Sequence, residues 1–135
     1  MNKELSIEIL TPSGCYLKTV ADFLSVKGGK GMIGILPNHA PLITTIEVSK
    51  LTIRKNGKES IYAVSEGLMH VKEGSNIPIS VNSIEASDEI DIERAKRAKE
   101  RAELRLLEDD ADVLRAKASL ARALNRISVY GHKNK

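Results

Sequence analysis

The hydrophobic period of this chain changes once, near Ser87, and that change restricts what the chain can fold into. Before it, apolar residues alternate over short runs, as on strands with one buried face. After it they recur every three or four residues, as on helices with one buried stripe. The two patterns need different partner layers, and 135 residues hold one well-buried core plus a dependent element rather than two ordinary domains. The expectation is an α+β chain: an antiparallel β-sandwich or flattened barrel over residues 1–86, then an antiparallel two-helix hairpin over residues 87–135.

In the first part Leu5, Ile7 and Ile9 alternate with Ser6, Glu8 and Leu10, and Thr11-Pro12-Ser13-Gly14 then breaks the run. Similar runs cover residues 20–26, 33–36, 41–46, 50–54, 60–64, 68–71 and 77–81, with glycine-bearing turns at 27–31, 55–58 and 72–76. Asn56-Gly57 is the clearest turn, because both residues tolerate the positive backbone angles of a tight hairpin. Many short strands at this spacing predict a sandwich or barrel.

In the second part Ala95, Ala98, Ala102 and Leu106 share a helical face. Ser87 or Asp88 is expected to cap this first helix, with Glu89, Asp91 and Glu93 in its positive first turn. Glu108-Asp109-Asp110 interrupts the stripe and is expected to cap a second helix, with Val113, Ala116, Leu120, Ala123, Leu124 and Ile127 facing inward. A turn near Asp109 or Asp110 makes the helices antiparallel neighbours, and alanines let their backbones approach closely. Such a seam buries little area, so the position of the hairpin should be adjustable.

Composition excludes several function classes. The formal charge of +3 is the balance of 21 basic and 18 acidic residues, too even for a protein that wraps DNA. Phe23, Tyr16, Tyr62 and Tyr130 are the only aromatic residues, so base stacking on single strands is poorly supplied and the core must be aliphatic. Cys15 stands alone, which rules out an internal disulfide or a cysteine zinc cluster, and it reads as a small buried residue of a reducing compartment. No apolar run approaches the roughly 20 residues of a membrane span, and residues 1–4 lack the apolar block of a secretory signal. A cytoplasmic protein able to dock on a membrane complex is expected.

Chemistry concentrates on the arginines of the two helices. Arg94 and Arg101 are seven positions apart on one face, about 10 Å along the axis at ~1.5 Å per residue, and Arg122 and Arg126 share a face at i, i+4. Antiparallel pairing brings Asp91 and Arg94 beside Arg122 and Arg126. Their forked donors fit an extended phosphate chain, while Asp91 and Glu85 accept donors from a base or sugar. A solvated face paired with Glu93, Glu100 and Glu103 is the competing reading of the same spacing. The glycines around Lys30 lack the Walker spacing, and His39, His70 and His132 have no nucleophile or metal-ligand pairing, so binding without turnover is expected and no metal site is assigned.

Gly34-Ile35-Leu36-Pro37-Asn38-His39-Ala40-Pro41-Leu42, with the order of sandwich and hairpin, resembles the epsilon subunit of bacterial F-type ATP synthases over essentially the whole chain. Val64-Ser65-Glu66-Gly67-Leu68 is similar to a second family stretch, and Ala123-Leu124-Asn125-Arg126-Ile127-Ser128-Val129 to the family's closing helix. The resemblance implies a noncatalytic rotor-stalk subunit whose sandwich sits against the gamma subunit and the ring of c subunits, peripheral to the cytoplasmic face of the bacterial cell membrane.

Ile90-Asp91-Ile92-Glu93-Arg94-Ala95 resembles the I/L-D-x-x-R-A motif of the ATP-binding, Bacillus-like members. That resemblance implies ATP as a regulatory ligand, with Glu85, Ile90, Asp91 and Ala95 around the adenosine and Arg94, Arg101, Arg122 and Arg126 towards the phosphates; whether magnesium accompanies it is left open. It also implies a two-state hairpin, folded on the sandwich with ATP bound or extended along gamma towards the alpha and beta subunits, where it obstructs hydrolysis. Three residues depart from the family pattern: Asn38 and Glu66 replace usual glycines and His70 replaces a common acid, all in the sandwich and expected to leave the nucleotide positions untouched. A purely structural stalk subunit without a nucleotide site is the alternative; a nucleic-acid adaptor is disfavoured by the even charge and scarce aromatics.

Overall fold

Leu5, Ile7 and Ile9 are fully buried on β1 (Leu5–Thr11) and Ser6 between them is exposed, as their alternation requires. This computed structural model describes residues 3–108 and 112–131. Nine further strands follow: β2 (Gly14–Ala21), β3 (Phe23–Gly28), β4 (Gly31–Ile35), β5 (Leu42–Ile46), β6 (Ser49–Lys55), β7 (Lys58–Val64), β8 (Gly67–Val71), β9 (Asn76–Val81) and β10 (Ile84–Ala86).

All ten join one sheet in the order β10-β7-β6-β3-β5-β8-β9-β1-β2, with β4 on β3. Pairing is antiparallel except between β1 and β9, which run parallel with Ile7 opposite Ile77. The far strands curl towards each other: β2 packs against β6, and the Tyr16 and Tyr62 rings meet edge to face at 6.2 Å. The result is a flattened, nearly closed barrel.

Its interior is aliphatic. Leu24, Val26, Ile35, Leu51, Met69, Val71, Ile77 and Ile79 are fully buried, each side chain stabilising the fold by roughly 1.5–3 kcal/mol relative to exposure. Asn56 and Gly57 adopt φ of 52° and 77° in the β6–β7 hairpin, the tight turn read from their sequence. Asn38 also has a positive φ, 68°, a region that asparagine, after glycine, is among the residues that best tolerate.

The expected strand at 20–26 is instead the end of β2 and the start of β3, broken at Asp22. β2 escaped the periodicity because its burial hardly alternates along Gly14–Ala21, and it pairs only with β1. Cys15 lies on this strand and is exposed, not buried. It occupies the edge of the sheet, where no second layer covers it.

Beyond β10 the chain makes a 3₁₀ turn (Ser87–Glu89), then α1 (Ile92–Arg105) and α2 (Val113–Tyr130). Ser87 and Asp88 belong to that turn and do not cap α1; the cap is Asp91, whose Oδ1 accepts from the Arg94 N–H at 3.0 Å. Ile90 must first turn inward, 5% exposed, which delays the helix by several residues. Asp112 caps α2 through Oδ1 and the Arg115 N–H at 3.1 Å; Asp109 and Asp110, expected there, lie outside the described residues, as does His132.

Ala95, Ala102, Ala116 and Ala123 are buried along the seam. Val113 and Leu124, expected inward, are 46% and 45% exposed, whereas Val129 is fully buried. The stripe shifts because α2 faces α1 along the hairpin but also rests on β6 and β7. No described helix is long and apolar enough to cross a membrane.

Tyr16 ties the two parts together: its hydroxyl donates to Glu89 Oε1, which also accepts from the Ala86 N–H at 2.9 Å. Burial first, then the Glu89 hydrogen bond and charge, hold the Tyr16 phenol well above its ordinary value of 10.0; Tyr62 moves the same way, chiefly through burial. A raised folded-state pKa means that the native protein keeps a proton the unfolded chain releases. This stabilisation is complete below about pH 10 and is lost as pH rises through the folded value. Tyr16→Phe is therefore expected to flatten, without abolishing, the fall of Tm above about pH 10. Thermal melts followed by circular dichroism on both proteins check it; equal slopes would refute the assignment.

Candidate functional site

The hairpin is held on the sandwich by one small apolar contact and a few polar ones. Ile90 and Val129 pack with Ala63, flanked by Ile61, in a cluster separate from the main core. Asn125, on α2, donates through Nδ2 to Ser49 O at 2.8 Å and, at 3.4 Å, to Val64 O. Arg126 Nε donates to Glu85 Oε1 at 2.5 Å, and Arg122 lies 3.5 Å from Glu66. For an eighteen-residue helix these are few contacts, and most of them are polar.

Between the helices and the start of α1 runs a cleft with chemically distinct ends. One part, about 480 Å³, is lined by Glu85, Glu89, Asp91, Arg94, Ala95, Ala98, Arg101 and Arg126. The adjoining part, about 350 Å³, is lined by Ala98, Arg101, Ala102, Arg105, Arg115, Ala116, Ser119, Arg122 and Arg126. Ala98, Arg101 and Arg126 border both, so the two are continuous, and the seam alanines keep the floor open. Carboxylates collect at one end and guanidinium groups from both helices at the other. Such a gradient suits a molecule with donors at one end and a chain of anionic groups at the other.

Of the residues read from sequence, Glu85, Asp91, Arg94, Ala95, Arg101 and Arg126 line the larger part, and Arg122 joins Arg101 and Arg126 in the other. Ile90 does not line the cleft; it anchors the hairpin to Ala63 and Val129. Asp91 already uses Oδ1 to cap α1, which leaves Oδ2 for a ligand. Sequence reading missed Glu89, Arg105, Arg115 and Ser119. Arg105 was legible, four residues beyond Arg101 on the same face; Arg115 needed the hairpin register.

The pairing of these arginines with Glu93, Glu100 and Glu103 that the competing reading requires is absent among the described residues, where Lys99 takes Glu103 at 3.7 Å. Arg122 and Arg126 take carboxylates from the sandwich instead, Glu66 and Glu85. Nor do the three departures all leave the expected nucleotide positions untouched: Glu66, in the sandwich, reaches Arg122. Among the described residues no group of three or more His, Cys, Asp or Glu side chains is placed to hold a metal ion.

Residues 4–87 match the family described as ATP synthase, Delta/Epsilon chain, beta-sandwich domain, and residues 88–131 match ATP synthase, Delta/Epsilon chain, long alpha-helix domain. The ATP synthase epsilon chain of Desulforamulus reducens is 43% identical over 129 residues, 94% of this chain and 97% of that one. That of Bacillus licheniformis is 36% identical over 129 residues, 94% of this chain and 98% of that one. A chain of the Euglena gracilis mitochondrial ATP synthase OSCP/F1/c-ring assembly shares the fold at a TM-score of 0.82 and 18% identity, covering 98% of this chain and 84% of that one. With both of its parts matched in order and relatives alike over nearly their whole length, this chain belongs to the ATP synthase epsilon-chain family.

Proposed function

We propose that this chain is a noncatalytic regulatory subunit of the ATP synthase stalk that binds ATP in the cleft between α1, α2 and the sandwich. The observation that carries the reading is the continuous cleft with carboxylates at one end and arginines of both helices at the other. Adenosine donors meet Glu85 and Asp91, and the phosphates run past Arg94 and Arg101 towards Arg126 and Arg122. The larger part falls in the size range of small-molecule sites.

Ligand contacts that need both helices and Glu85 exist only while the hairpin is docked. ATP therefore shifts the population towards the docked state by its differential affinity. When ATP is scarce the hairpin is free to extend along gamma towards the alpha and beta subunits and to restrain hydrolysis. The sandwich serves as the dock for gamma and the c ring, peripheral to the cytoplasmic face of the membrane. In support, a second structure sharing the fold, at a TM-score of 0.58 and 14% identity, belongs to the central stalk and c-ring of the Tetrahymena thermophila mitochondrial ATP synthase.

A second reading, a structural stalk subunit without a nucleotide site, draws on the Arg126–Glu85 and Arg122–Glu66 pairs, which would then serve only to pin the hairpin. Titration calorimetry on the full chain with ATP, ADP and GTP separates the two. The proposed site binds ATP with adenine selectivity, and Asp91→Ser, which keeps a side-chain cap on α1 but removes the charge, weakens it about tenfold. Absence of ATP binding would leave the structural reading standing.

A further inference from the structure

We propose that Glu66 sets the ligand affinity of this site by competing with phosphate for Arg122. The inference rests on the nucleotide reading above and names a residue that controls it. Glu66 lies just before β8, and its side chain reaches Arg122 at 3.5 Å. Its backbone is fixed: Glu66 O accepts from the Asn82 N–H at 3.0 Å, and the adjacent Gly67 presses on β9 too closely to admit a side chain.

Glu85, the other carboxylate on a cleft arginine, itself lines the cleft and so has ligand groups of its own to meet. Glu66 lines neither part. A ligand phosphate that engages Arg122 through Nη1 competes with Glu66 for that group and then lies near its negative charge. The carboxylate therefore stabilises only the empty, docked state. Removing it destabilises that state relative to the bound one, so affinity rises. The side chains are 32% and 51% exposed, so solvent screens the pair and the effect is modest, a factor of about two to five.

Calorimetry on the full chain tests this with ATP and with pyrophosphate as probes. Glu66→Gln is expected to tighten both about twofold to fivefold. The gain should vanish when the same substitution is made in Arg122→Ala. Unchanged affinity in Glu66→Gln while the unsubstituted chain binds ATP, or an equal gain without Arg122, would overturn the inference and leave the nucleotide reading intact. If neither protein binds ATP or pyrophosphate, the nucleotide reading fails and the inference falls with it.

Discussion

Gly67→Ala is expected to destabilise the sandwich by at least about 3 kcal/mol, a fall in Tm on the order of 10 °C for a chain this size. A Cβ built on Gly67 would lie 2.0 Å from Ser80 O and 2.8 Å from Val81 Cα. Both obstacles are backbone, so no side chain can swing aside. β9 cannot retreat either, since it pairs with β8 through Gly67↔Val81 and Leu68↔Ser80 and with β1 on its other edge. Gly57 is the control. Its φ of 77° strains an alanine, but a Cβ there meets nothing within 4 Å, so Gly57→Ala should cost only about 1 kcal/mol. Thermal and urea unfolding of the two variants checks the contrast; a Gly67→Ala protein as stable as Gly57→Ala would show that the strands separate there at little cost.

Arg101→Ala is expected to weaken ATP binding by about tenfold to a hundredfold, the usual worth of hydrogen bonds to a charged group, while leaving Tm unchanged. Arg101 borders both parts of the cleft, is exposed, and has no ion-pair partner among the described residues. On the proposed reading its loss removes ligand contacts without breaking an ion pair of the fold. Arg126→Ala behaves differently. It loses a similar contact but also leaves Glu85 without its Arg126 partner and releases one of the ties between α2 and the sandwich. Its affinity loss should equal or exceed that of Arg101→Ala, with faster amide exchange along α2. Calorimetry paired with hydrogen exchange distinguishes the two effects; normal ATP affinity in both variants would remove the arginines from the site.

Local rules carried much of this structure. The alternation of Leu5, Ile7 and Ile9 and the positive angles of Asn56 and Gly57 depend on neighbours one or two residues away. The alanine seam depends on neighbours three or four away, so it too was legible. Asp91, Arg94 and Ala95, all within the motif of residues 90–95, line the cleft and lie close together along the chain. Where reading failed, the deciding partner was distant. Ile90 went to a contact with Ala63 and Val129, and the alternation of β2 was blurred by its place at the sheet edge.

By itself, then, the sequence determined a β part followed by an alanine-seamed helical pair carrying arginines in register. Periodicity records which side of an element is buried, and that needs no knowledge of the partner. Only the tertiary structure decided the parallel pairing of β1 with β9, the seat of the hairpin across β6 and β7, and the carboxylates that meet its arginines. Glu85 and Arg126 are 41 positions apart, and nothing periodic links them. They meet because the barrel closes in one register and Asn125 sets α2 on its edge, so the composition of the cleft is a consequence of packing rather than of any local pattern.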